Sequence, residues 1–169
     1  GPRTFLVNKS PLHDAAGKVI GTFGISRDIT ERKRDEAMLR KLSQAVEQSP
    51  ESIIITTVDA TIEYVNAAFT RVTGYSPGDA IGRNPRMLGS GRTPRETYVD
   101  MWRMLTAGES WKGEFINRRK DGGEYIEFAI IAPIREPDGT VTHYVAVKED
   151  VTEKKRVGAE LDQHRHHLE

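Results

Sequence analysis

The chain has 169 residues, room for one domain with its own core plus appendages, since self-sufficient domains run to roughly 100–150 residues. Lys and Arg balance Asp and Glu at 25 each, so no global field favours nucleic acid, anionic lipid or an acidic substrate, and partners must be recognised locally. Cysteine is absent, which excludes disulfides, thiolate nucleophiles, Cys-ligated zinc and cysteinyl adducts and fits a reducing cytoplasm. The longest apolar runs, Ile53-Ile54-Ile55 and Ile130-Ile131-Ala132, fall far short of the ~20 residues of a membrane span, and no secretory signal is present. The expectation is a cytoplasmic module with no nucleic acid partner and no direct membrane insertion.

The first elements in the chain are a hairpin, Thr4 to Pro11 and Val19 to Asp28 around a turn at Ala15-Ala16-Gly17. This segment returns later. Pro11 to Leu39 aligns without gaps on Pro133 to Leu161 at a constant offset of 122, with Gly17/Gly139, Asp28/Asp150, Thr30/Thr152 and Glu31/Glu153 among the identities. Such an offset is too long for a solenoid unit and reads as two tandem domains whose C-terminal ends are both visible. Residues 1–30 are then the closing hairpin of an upstream domain. Without its pairing strands it is expected to be poorly ordered, or packed on the second domain or a neighbouring chain.

Residues 31–48 are charged, free of Gly and Pro, and carry Met38, Leu39, Leu42, Ala45 and Val46 at helical spacing, a connecting helix. Residues 49–153 form the complete domain. Strands are expected at Ile53 to Thr57 and Ile62 to Val65, with Asn66 capping a helix Ala67 to Thr73 that Gly74 ends. Ser76-Pro77-Gly78-Asp79 starts a short turn, and Thr93-Pro94-Arg95-Glu96 reads as a capping box opening a helix with Tyr98, Met101, Trp102 and Leu105 on one face. Three strands follow, Trp111 to Arg119, Glu124 to Ile134 and Val141 to Asp150. Two strands, a helical middle and three strands make an α+β fold: a five-stranded antiparallel sheet with short helices on one face, flanked by N- and C-terminal helices. Residues 154–169 are the C-terminal helix, where Val157, Leu161, His164 and Leu168 fall at heptad spacing, suiting either a paired seam or a solvated face.

Strand parity divides the side chains. Trp111, Gly113, Phe115 and Asn117 share one face of the first late strand and should meet the helices. On the next strand Ile126, Phe128 and Ile130 oppose Tyr125, Glu127, Ala129 and Ile131, so both faces carry large apolar groups and both need cover. The helical middle covers one. A flanking helix or a second subunit is expected on the other, implying a homodimer through the flanking helices and the outer sheet face.

Several stretches resemble the PAS superfamily in its S-box branch: Tyr64 to Phe69, Val72 to Tyr75, Ile81 to Asn84, Arg118 to Gly122, Ala132 to Ile134 and Asp150 to Glu153. Asp28-Ile-Thr-Glu31 repeats the closing motif and marks an upstream PAS domain. The resemblance implies a sensory module of a signalling protein such as a histidine kinase, placed before a downstream effector. Gly91 to Arg95 with Tyr98 and Trp102, then Trp111, Gly113 and Asn117 to Asp121, is similar to FAD-binding, redox-sensing PAS domains of the NifL type. Gly82-Arg-Asn-Pro-Arg86 is similar to a LOV photoreceptor motif, but Pro85 stands where those domains have their adduct-forming cysteine, which excludes that light chemistry. Glu127 and Lys148 depart from the Asn and Gln found there.

The resemblance implies an FAD site. Trp111 and Phe115 would contact the ring, Asn117 its pyrimidine edge and Glu127 a ring N–H; Asn84 would lie near the ribityl chain, Arg86 near phosphate, and Lys148 near the redox-active edge, favouring reduced anionic flavin. Each residue has a plainer role open to it: Trp111 in core packing, Asn117 on backbone groups, Asn84 as a cap, Arg86 in solvent, and Glu127 with Lys148 as a pair. The competing functions are a cofactor-free dimerisation and relay module and, third, a haem sensor, against which the helix Pro94 to Ala107 offers no histidine ligand. No Gly-rich phosphate loop, nucleophile with base, or metal-ligand pair occurs at a usable spacing, so a non-catalytic fragment is expected.

Overall fold

The structure is a computed structural model that describes residues 1–167. It divides into two compact units, residues 1–45 and a second beginning at Val46. In the first, strands β1 (Phe5–His13) and β2 (Val19–Asp28) pair antiparallel; helix α1 (Thr30–Glu47) follows, its last two residues belonging to the second unit. Phe5, Leu6, Val7, Ile20, Phe23 and Ile25 of the hairpin and Met38, Leu39 and Leu42 of α1 are exposed.

The second unit holds β3 (Ser52–Thr57) and β4 (Ile62–Val65), then α2 (Ala67–Thr73), α3 (Pro77–Ala80), a 3-10 turn at Pro85–Leu88 and α4 (Arg95–Thr106). Strands β5 (Trp111–Arg118), β6 (Glu124–Arg135) and β7 (Val141–Asp150) lead into α5 (Thr152–His166). The strands form one antiparallel sheet in the order β4-β3-β7-β6-β5. Its inner face meets α2 and α4 around Ile54, Ile62, Phe69, Leu88, Met101, Leu105, Phe115 and Ala129, each large apolar group contributing about 1.5–3 kcal/mol on full burial. The alternation read from the sequence holds: Trp111, Phe115 and Asn117 of β5 and Tyr125, Glu127, Ala129 and Ile131 of β6 point inward.

The internal repeat extends to hydrogen bonding. Phe5 pairs with Asp28, Val7 with Ser26, Lys9 with Gly24 and Pro11 with Thr22, the same ladder as Glu127 with Asp150, Ala129 with Lys148, Ile131 with Ala146 and Pro133 with Tyr144. Even the bulge recurs, between Leu12 and His13 and between Ile134 and Arg135. The closing motif also has one geometry twice. Thr30 Oγ1 accepts from Thr4 N at 2.8 Å and bonds Asp28 at 2.5 Å, while Thr152 Oγ1 accepts from Ile126 N at 2.9 Å and bonds Asp150 at 2.6 Å. In each unit the aspartate accepts from the backbone N–H of the threonine that opens the helix, and the threonine hydroxyl fastens that helix start to the preceding hairpin.

Two local expectations behave differently. Asn66 caps α2 through Phe69 N, and Ser76 with Asp79 completes a capping box on α3. Thr93, in contrast, does not cap α4: that helix starts one residue later, with Pro94 at the cap and no side-chain bond. Thr93 is buried, and its Oγ1 accepts from Ile116 N at 2.9 Å and donates to Ile116 O at 3.2 Å. Strand β5 is an edge whose backbone groups need partners, and that demand outweighs the cap. Of the heptad positions on α5, Val157 and Leu161 are exposed, and Leu168 lies outside the described residues.

Candidate functional site

Between the inner face of β3, β5, β6 and β7 and the helices lies a cavity of about 580 Å³. Its walls are apolar and aromatic, with Ile54, Met101, Leu105, Phe115, Tyr98 and Tyr144 prominent. Tyr98 stacks on Phe115 with ring centroids 5.5 Å apart, and Trp102 meets Tyr144 edge-on at 6.1 Å. Few polar groups reach the lining: Thr56, Asn84, Arg86, Asn117 and Lys148. Apolar walls with a few convergent polar groups are the usual composition of a site for a planar organic ligand.

Asn117 and Lys148 meet on a third side chain. Glu127 Oε1 accepts from Asn117 Nδ2 at 2.7 Å and from Lys148 Nζ at 2.8 Å, and all three residues are buried. Strand register brings them together, because Glu127 pairs with Phe115 on one side and Asp150 on the other, two residues along from Asn117 and Lys148. The Lys148 ammonium also sits 5.3 Å from the Phe115 ring centroid, within cation–π range.

Behind this group the Tyr125 hydroxyl is buried without a hydrogen-bond partner among the described residues. Neither Asn117 nor Glu127, its near neighbours, completes a bond to it. Burial first, then the Glu127 carboxylate, pushes that hydroxyl well above the ordinary tyrosine range, with Asn117 and the Arg119 charge pulling the other way. The Arg119 guanidinium lies over the Tyr125 ring at 4.4 Å, donates to Asp150 Oδ2 at 2.6 Å and to Val72 O at 2.5 Å. Arg119 thus ties α2, β6 and the end of β7. Burial resists ionisation of Asp150, but the bonds from Arg119 and from Thr152 outweigh it and hold the carboxyl below its usual range.

The residues singled out from the sequence divide by position. Phe115, Asn117, Asn84, Arg86 and Lys148 line the cavity; Glu127 and Trp111 stand behind the lining. Trp111 packs across Gly113 and against Phe115 at 5.2 Å between centroids, and its indole N–H donates to Asp100 Oδ2 at 3.2 Å. Core packing is therefore its visible role. Asn84 caps the 3-10 turn by accepting from Arg86 N at 2.9 Å, while Arg86 is exposed and has no ion-pair partner among the described residues. Tyr144 and Thr56 were not singled out, although inward parity with Lys148 on β7 and with Ile54 on β3 marks them.

A sequence model described as PAS domain matches residues 50–153. The chain belongs to the PAS domain family. A second model, described as PAS fold, matches residues 1–34. The nitrogen fixation regulatory protein of Klebsiella oxytoca is 43% identical over 107 residues, 63% of this chain. This chain covers 22% of that relative's length. Among solved structures, an RNA-binding light-oxygen-voltage receptor superposes with a TM-score of 0.70 at 23% identity, over 96% of this chain and 44% of that one, a likeness of fold. A light-oxygen-voltage domain studied with a flavin analogue gives 0.63 at 26% identity, over 77% of this chain and 98% of that one. The PAS unit is thus a sensor domain of the type found in signalling proteins, and none of its described helices is long and apolar enough to cross a membrane.

Proposed function

We propose that the PAS unit binds a flavin, FAD being the best match, and senses redox state or oxygen through it. The observation carrying this reading is a cavity that joins an aromatic wall to a buried polar end made by Asn117, Glu127 and Lys148. Phe115, Tyr98 and Tyr144 supply contact area for a ring, and Asn117 and Lys148 offer donors and an acceptor to a polar edge. Arg86, exposed at the lining and free of a carboxylate partner among the described residues, suits a phosphate. A bound flavin would supply reversible two-electron chemistry. The protein's own part is to orient the ring, exclude water and hold charge at its edge, and the likeness to a nitrogen fixation regulator and to a domain studied with a flavin analogue supports the assignment.

The unit is non-catalytic in this reading. Signals pass from β5, β6 and β7 to α5 and onward to an effector, for which a histidine kinase is our proposal, while residues 1–30 close an upstream PAS domain. The test is the visible absorption of the purified protein and of protein refolded with FAD. Flavin bands that denaturation releases support the reading; a preparation colourless in both states rejects it.

The outer sheet face favours a second reading, a cofactor-free module that dimerises in the cytoplasm. Ile53, Val147 and Ile130 form an apolar row across β3, β7 and β6, with Ile130 exposed. Sedimentation separates the two: a monomer at working concentration removes dimerisation, and flavin colour removes the cofactor-free version.

A further inference from the structure

Lys148 and Glu127 are charged groups taken out of water, an arrangement that costs desolvation and is weak evidence for stability. The fold does not demand them. In the hairpin β1–β2, which repeats the β6–β7 ladder and closing motif, Phe5 stands at the register position of Glu127 and Ser26 at that of Lys148. The same supersecondary unit therefore forms without the pair. Lys148 also lines the cavity while Glu127 sits behind it, so the cation faces the ligand space and the anion backs it.

We infer that this pair sets the reduction potential of the bound ligand, Lys148 raising it and Glu127 holding it down. The inference rests on the flavin reading. Two electrons from an external donor and one proton from water convert the oxidised ring to a reduced ring with one net negative charge. A buried ammonium at the lining favours that added charge over the neutral oxidised form, and the carboxylate 2.8 Å from it damps the effect. Asn117 is the third member, donating to the same Glu127 oxygen and so fixing where the carboxylate sits.

The experiment is dithionite reduction of FAD-loaded wild type, Lys148→Met, Glu127→Gln and the double variant against a reference dye, at one pH. Lys148→Met is expected to lose at least tenfold of the preference for reduced over oxidised FAD, about 30 mV for a two-electron couple. Glu127→Gln is expected to gain a comparable preference, and the double variant to fall between. A purely structural pair would shift both single variants in the same direction or leave the potential unchanged. Either result overturns the inference while leaving flavin binding intact. Failure of wild type to bind oxidised FAD in a fluorescence titration overturns the flavin reading, and this inference with it.

Discussion

Replacing Asn66 by alanine removes the most heavily bonded side chain described in the PAS unit. Its Oδ1 accepts from Ile53 N at 2.9 Å and Phe69 N at 3.2 Å, and its Nδ2 donates to Val46 O and Glu51 O, both at 2.9 Å. One fully buried amide therefore joins the segment entering the unit, the first residues of β3 and the start of α2. At about 0.5–1.5 kcal/mol per bond, the four together amount to about 4 kcal/mol, within which the helix cap accounts for about 1. Against a typical stability of about 5–15 kcal/mol this is a large fraction. Urea unfolding followed by circular dichroism should show the midpoint falling with the slope unchanged. Asn66→Asp keeps both acceptor bonds but turns a carboxylate toward two carbonyl oxygens, so it should be no more stable than alanine at neutral pH. Asn84→Ala, which loses one half-exposed capping bond, should cost only about 0.5–1 kcal/mol. A loss below about 1 kcal/mol for Asn66→Ala would refute the assignment of Asn66 as the junction of these elements.

Gly113→Ala should destabilise by about 1–3 kcal/mol, because its new Cβ would fall inside the Trp111 ring, 2.7 Å from Cη2; an unchanged melting temperature contradicts the packing described. Asp150 is held below its usual range, so its ionised form contributes stability that is present above pH ~4 and lost as the pH falls through its lowered value. Asp150→Asn should flatten the acid limb of a stability-versus-pH curve in that window, and an identical limb in both proteins counts against the Arg119–Asp150 tie. Desolvation first and then the Glu47 carboxylate, which accepts its proton at 2.5 Å, push Tyr64 up to about 12. The neutral phenol's stabilisation is complete below pH ~10 and is lost as the pH rises through that raised value; Tyr64→Phe should lose this alkaline dependence of the urea midpoint, and an equal dependence in both proteins counts against the Tyr64–Glu47 bond. Arg86→Gln should weaken FAD binding about tenfold while leaving riboflavin nearly unaffected, since only FAD carries phosphate.

Much of the PAS fold is legible in the chain because its signals are local. The unbroken β-branched run Ile53–Thr57, the Asn66 and Ser76 caps and the Gly-containing turns each specify their own element. Thr93 misleads because its capping pattern is local while its actual partner, the edge backbone at Ile116, lies 23 residues away. The same distinction governs the site. Parity on β5 alone places Phe115 and Asn117 inward, but whether Trp111 reaches the cavity depends on Gly113 leaving room for its ring to lie back over the strand. The Glu127–Lys148 contact depends on the register of β6 with β7, which sets these two residues, 21 apart, diagonally across the ladder. Tyr144 shows what alternation still offers when it is followed along every strand.

Whether this cavity takes a flavin ring is read from a fluorescence titration of FAD with wild type and with Ala146→Phe. Ala146 lines the cavity, so a phenylalanine there fills ligand space while the sheet around it can stay paired. Saturable quenching of FAD by wild type, lost in an Ala146→Phe protein of near-normal melting temperature, is the predicted result. Equal binding by both proteins, or none by wild type, would rule out a flavin in this cavity.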